Sequence, residues 1–205
     1  MSLLSPATIS HLQTLYSHAS RHYHSLSHIS TLLTLLTTHR SQFCDPEAVE
    51  AAIWFHDAIY DARAAPPSNE LASAELAVTH LRDSVNPERL HYIKKMIEGT
   101  ATHTVPECED EAAVRDAELF LDMDLSILGA DREEFDHYEQ GVRKEYGHVS
   151  EEDWKAGRAK VLKGFLERKW IFHSETFRVL LEEKARVNLR RSIERLEGTL
   201  SGEVN

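Results

Sequence analysis

At 205 residues, with 41% hydrophobic and 28% charged side chains, the chain has the size and make-up of one soluble globular domain with ample core for independent folding. Its formal net charge of −11 argues against the basic surface that nonspecific nucleic-acid binding needs, but leaves room for a small anion, because a bound cation and a few arginines reverse the sign of a pocket. There is no run near the roughly 20 apolar residues of a membrane span, no basic segment followed by an apolar one at the N-terminus, and no metal-ligand spacing around Cys44 and Cys108, so the expectation is a cytoplasmic protein with two buried or inert thiols and neither membrane nor nucleic acid among its partners.

The periodicity is helical almost throughout. Pro6 suits the first turn of a helix over 6–19. The next, over 25–39, carries Ile29, Leu32, Leu33 and Leu36 on one face, with His28 at its start. Asp45-Pro46 is a cap followed by a favoured first residue, and opens a helix over 46–61. Its apolar positions Val49, Ala52, Ile53, Ile59 and Tyr60 turn His56 towards the core and Asp57 towards the edge. After a loop at 64–68 come helices over 69–83 and, from the cap Asn86-Pro87, 87–100. A loop at 101–109 leads into 110–128. Asp131 with Glu134 and Ser150 with Asp153 start helices over 132–147 and 151–168, and the last runs over 175–197. No strand alternation or Asn-Gly hairpin signal competes, and there is no internal repeat. The expected fold is all-α, one compact bundle of eight or nine helices spanning 1–205.

Within this pattern His56-Asp57, in an otherwise apolar stretch, needs partners, because a buried carboxylate must find a cation or hydrogen-bond donors. Adjacent side chains project about 100° apart on a helix, so a divalent cation at its flank is within reach of both. His28 at the head of the neighbouring apolar face, and Asp122 and Asp124 in the apolar stretch Glu118–Leu128, supply further ligands. Asp124 shares its face with Ala113, Ala117, Phe120, Leu121, Ile127 and Leu128, and Asp122 with the more polar Glu118 and Ser126. Burial favours Asp124 and an open polar face favours Asp122; Asp124 is preferred, with Asp122 kept as the alternative. The set His28, His56, Asp57 and Asp124 or Asp122 suits one manganese, iron, cobalt, nickel or zinc ion better than a hard-oxygen ion such as calcium.

A His, then a His-Asp pair, then a distant Asp, all on helices, resembles the HD superfamily of metal-dependent phosphohydrolases. The segments Arg21–His28, Ile53–Asp61, Asn69–Ala74 and Leu121–Gly129 look like those of a branch of predicted HD phosphohydrolases, and the likeness extends through Gly157-Arg158 and Leu166–Arg168. The resemblance implies a metal-binding core over about 21–130 with helices 131–197 packed on it, and hydrolysis of a phosphate ester, nucleotides being the class suggested by the wider superfamily. Asp57 and Glu70 are then the expected catalytic residues, Glu70 by polarising the attacking water; its plain alternative is a first-turn acid favourable to the helix dipole. His24, beside His22 and Tyr23, is expected at the pocket rim, with Asn69, His103 and Arg158 as further substrate contacts. Asn69 has a helix-cap alternative, and Arg143, Arg158 and Arg168 a salt-bridge one. Asp61 stands as either a turn acid or a hydrogen-bond partner of the ligand set. Two other classes stay open. A di-iron HD-type oxygenase would add His80 and His103 as ligands; a noncatalytic nucleotide-binding module would keep the metal without turnover.

Overall fold

The structure, a computed structural model, describes residues 2–198. Among these the chain forms nine α-helices and no strand: α1 (Pro6–Tyr16), α2 (Leu26–Thr38), α3 (Pro46–Phe55), α4 (Ser68–Leu81), α5 (Pro87–Gly99), α6 (Glu111–Asp124), α7 (Arg132–Glu145), α8 (Glu151–Glu167) and α9 (Glu175–Glu197). Tight 3₁₀ turns occupy Arg40–Gln42 and Leu125–Gly129. The chain divides into two compact units, Met1–Asp124 and Leu125–Asn205. No helix among the described residues is long and apolar enough to cross a membrane. Cys44 is exposed and Cys108 half-buried, both as free thiols, so of the two expected states, buried or inert, the first does not hold.

The starts follow local chemistry. Side-chain oxygens of Ser5, Asp45, Asn86 and Ser150 accept from the backbone N–H three residues on, and Pro6, Pro46 and Pro87 occupy first positions where no N–H is needed.

In the first unit α3 is the central helix, packed against α1, α2, α4, α5 and α6. Every residue from Ala48 to Phe55 except Glu50 is buried. A helix apolar all round belongs in a core. Ala48, Ala51 and Ala52 let neighbouring helices come close, while Ile53 and Phe55, fully buried, each contribute about 1.5–3 kcal/mol of apolar burial. Its N-terminus is anchored twice. Asp45 caps it, and buried Asp116 of α6 accepts from the N–H groups of Cys44 (2.8 Å) and Asp45 (2.7 Å).

The C-terminus of α3 departs from expectation. Periodicity predicts helix to residue 61, but α3 stops at Phe55, with His56 as its C-cap and Asp57 beyond. The backbone groups that would continue it are taken by other parts of the chain. Tyr16 Oη accepts from Asp57 N (3.3 Å), and Arg21 donates to the carbonyls of Asp57 and Ala58 (both 2.7 Å). Ser73 of α4 both accepts from Ile59 N and donates to Ile59 O. Likewise α6 ends at Asp124 rather than running to 128, because the 3₁₀ turn follows.

In the second unit α9 packs along α8 and against the Leu125–Gly129 turn. Gly129 is required there: a Cβ would stand 2.6 Å from that of Leu181. Asn188 closes the turn by donating to the carbonyls of Leu128 (3.0 Å) and Ala130 (2.9 Å).

Candidate metal centre

The first unit brings four of the expected ligands together at helix ends. His28 lies in the first turn of α2, His56 and Asp57 at the end of α3, and Asp124 is the last residue of α6. His56 Nε2 stands 3.2 Å from His28 Nε2, 3.0 Å from Asp57 Oδ2 and 3.6 Å from Asp124 Oδ1. His28 Nε2 is 3.1 Å from Asp124 Oδ1 and 4.0 Å from Asp57 Oδ2. Ligands each about 2.0–2.2 Å from one ion stand roughly 3–4 Å from one another, so the spacings among His28, His56 and Asp124 fit a single divalent cation, with Asp57 adjoining the two histidines. His28, His56 and Asp124 are the one group of three or more such donors among the described residues with ligand atoms this close.

The neighbours orient the donors. His56, 1% exposed, places Nδ1 at 2.9 Å from Ile53 O. A carbonyl only accepts, so Nδ1 carries the proton and Nε2 faces the cluster, the arrangement metal-binding histidines adopt. The edge-on ring of Phe120 holds the imidazole in place. Asp57 is held through its backbone by Tyr16 and Arg21, and the Arg21 guanidinium also lies over the rings of Tyr16 and Tyr60.

Charge is concentrated here. Burial works against the proton on His56, but Asp57 and Asp124 beside it hold its pKa well above the usual value. Burial pushes Asp57 up, yet His56 and His24 keep its carboxyl well below the usual carboxylate range. Asp124 behaves alike: burial raises it, and hydrogen bonds with His103, His28 and His56 lower it further than burial raises it. Tyr16 is pushed well up by burial and by Asp57, so its hydroxyl stays neutral and donates to Trp54 O (3.1 Å).

Of the two candidate acids, Asp124 is the one whose carboxylate meets both histidines. Burial does not single it out. Asp122 is 0% exposed and lies inside the packed face of α6, whereas Asp124 is partly open at the helix end. His24 stacks on Tyr60 (ring centroids 4.4 Å apart) and approaches His28, so it flanks the cluster beside Asp57. His103 Nε2 lies 3.0 Å from the outer oxygen of Asp124. Glu70, in the first turn of α4, has a buried Oε2 that meets no donor, the only side-chain atom in that condition among the described residues.

Other expected residues serve the fold. The Asn69 amide grips the backbone of Asp61 from both sides, accepting from its N–H and donating to its carbonyl at 3.0 Å each. Asp61 accepts from Arg63 N, as a turn acid does. Arg158 belongs to the second unit, where its buried guanidinium meets Glu139 and the Tyr138 hydroxyl. Arg143 donates to the Tyr146 and Val149 carbonyls. His80 stacks on His11 and lies against Phe55, and it joins no cluster of metal-capable donors among the described residues.

Four residues that shape the site were missed at the sequence level: Tyr16, Arg21, Ser73 and Asp116. Arg21 sits in the same His-rich segment as His28, but nothing in spacing shows that its partners are carbonyls some 36 residues away. Compared with protein-family models, curated proteins and solved structures, the chain gives no match in any of the three.

Proposed function

We propose that this protein is a metal-dependent hydrolase of phosphate esters, with nucleotides the first substrate class to screen. The observation that supports it is the convergence of His28, His56 and Asp124, with mutual distances that suit one divalent ion, and of Asp57 beside the two histidines, in the order of the HD signature. A cation held there supplies a water of lowered pKa and positive charge against the phosphoryl oxygens. His56 is fixed by Ile53 O so that Nε2 stays aimed at the cluster. The backbone of Asp57 is held by Tyr16 and Arg21, which fixes where its side chain starts. Glu70 offers a buried acceptor without a donor, a state that a water or substrate hydroxyl relieves. His24, stacked on Tyr60, provides a flat rim next to Asp57.

Elemental mass spectrometry of the purified protein tests this reading together with a panel of phosphomonoesters and nucleotides. The expected result is about one transition metal per chain and release of phosphate. Both are lost in His56→Ala and Asp57→Ala, while circular dichroism shows the helical fold retained. Metal without turnover across the panel would leave a binding module; failure to take up manganese, iron, cobalt, nickel or zinc would remove the reading.

A further inference from the structure

His103 is the one non-glycine residue among those described with a positive φ, at 47°. It sits in the turn that follows α5, where the Gly99 carbonyl accepts from both Thr102 N and Thr104 N (3.4 Å each) and the chain doubles back against the helix end. The left-handed conformation brings Cβ too near the following carbonyl, so glycine or asparagine is the usual occupant of such a turn. Here a bulky ring stands in it. A non-glycine residue with positive φ is uncommon, and histidine is among the side chains that accept it more readily, so the position directs attention to what the ring contacts.

The ring's Nε2 lies 3.0 Å from Asp124 Oδ2, and Oδ1 of the same carboxylate faces His28 Nε2 at 3.1 Å. A carboxylate only accepts, so His103 donates and occupies the oxygen that points away from the two histidines. Asp124 is the last residue of α6, where the backbone passes into the 3₁₀ turn of Leu125–Gly129.

We infer that His103 is a positioning residue for the metal centre: it locks the outer oxygen of Asp124 so that the inner one stays aimed at the ion. The inference rests on the metal-binding reading above. It differs from both roles expected of His103 from the sequence, substrate contact and ligand of a second metal. Outer hydrogen-bond partners of metal ligands typically carry 10–100-fold in metal affinity.

The test is calorimetric titration of the full chain with Mn²⁺ and, separately, Ni²⁺, on wild type and on His103→Gly, His103→Ala and His103→Gln. Gly and Ala remove the donor, and Gly also suits the backbone; Gln returns an N–H near the position of Nε2. The expected result is a 10–100-fold loss of affinity in Gly and Ala, recovery to within about threefold of wild type in Gln, and one ion per chain in all four. Thermal melts of the metal-free proteins accompany it, with no lowering in Gly beyond that in Gln. Wild-type affinity in Gly and Ala overturns the positioning role. So does a Gln variant as weak as Gly, or a stoichiometry of two that falls to one. A wild-type chain that takes up neither ion overturns the metal-binding reading itself, a different outcome from any of these.

Discussion

At the scale of single residues the site is a charge cluster in which a proton and the proposed metal would compete for one atom, His56 Nε2. In the unfolded chain a histidine gives up its proton near pH 6.5, whereas in the fold Asp57 and Asp124 hold it to well above that value. The folded state therefore binds more protons between those two points. The stability this contributes is complete below about pH 6.5 and is lost as pH rises through the folded value. Asp57 and Asp124 carry the opposite sign. Held well below their unfolded values near 3.9, they contribute above about pH 4 and lose that contribution as pH falls further. The chelator-treated protein is accordingly expected to melt at lower temperature at pH 8.5 than at pH 6.5. A divalent metal displaces the proton and binds more tightly as pH rises, so the metal-loaded protein loses less or gains over the same interval. Scanning calorimetry at the two pH values, with and without metal, checks this, and His56→Gln should flatten the metal-free difference. A chelated protein that melts higher at pH 8.5 contradicts the charge assignment.

At the scale of elements, what decides the site is where α3 and α6 stop. The body of each helix is legible in the sequence, since caps and apolar spacing are local properties: α9 begins and ends where its pattern does, and Asp45-Pro46 marks the start of α3. The ends are not, because they are set from a distance. Ile59 and Tyr60 continue the helical spacing of α3, yet Tyr16, Arg21 and Ser73 take the backbone groups that a longer helix would use. Tertiary contacts of that kind leave no trace in periodicity. The same holds for Asp122 and Asp124, which apolarity alone frames as a question of burial, whereas the structure places Asp124, at the end of α6, against both histidines. Arg21 is the residue on which this account can be tested. It donates to the His24, Asp57 and Ala58 carbonyls at 2.7–3.0 Å, and Arg21→Met leaves half-buried acceptors without a donor. The expected cost is about 1–3 kcal/mol in urea denaturation, with weaker metal binding and nearly unchanged helical content. Arg21→Lys, a point charge unable to span the three carbonyls, should recover only part of it. Wild-type stability in Arg21→Met would show that Arg21 is not what holds the end of α3.

At the scale of the whole molecule, the proposed ligands and a buried polar network lie in different units of the chain. All four proposed ligands and His103 lie within Met1–Asp124. The second unit holds a buried polar network instead: Arg158 Nε donates to Glu139 (3.0 Å), Arg158 also meets the Tyr138 hydroxyl, and the Ser192 hydroxyl donates to the other Glu139 oxygen (2.6 Å). This frames a choice about Arg158, which the HD resemblance offers as a phosphate clamp and the structure shows engaged with Glu139. The two roles give opposite signatures. If the guanidinium serves the fold, Arg158→Met strands a buried carboxylate and costs about 3–5 kcal/mol. Removing both charges in Arg158→Met with Glu139→Leu should restore most of that loss, because an apolar pair of similar volume replaces a buried ion pair at little cost. Metal content and the KM for any phosphate substrate should stay at wild-type values in the double variant. If Arg158 instead grips substrate, the double variant is stable but its KM stays raised. Thermal melts and steady-state kinetics on the two variants decide between them, and the satisfied Arg158–Glu139–Ser192 network makes the structural signature the expected one.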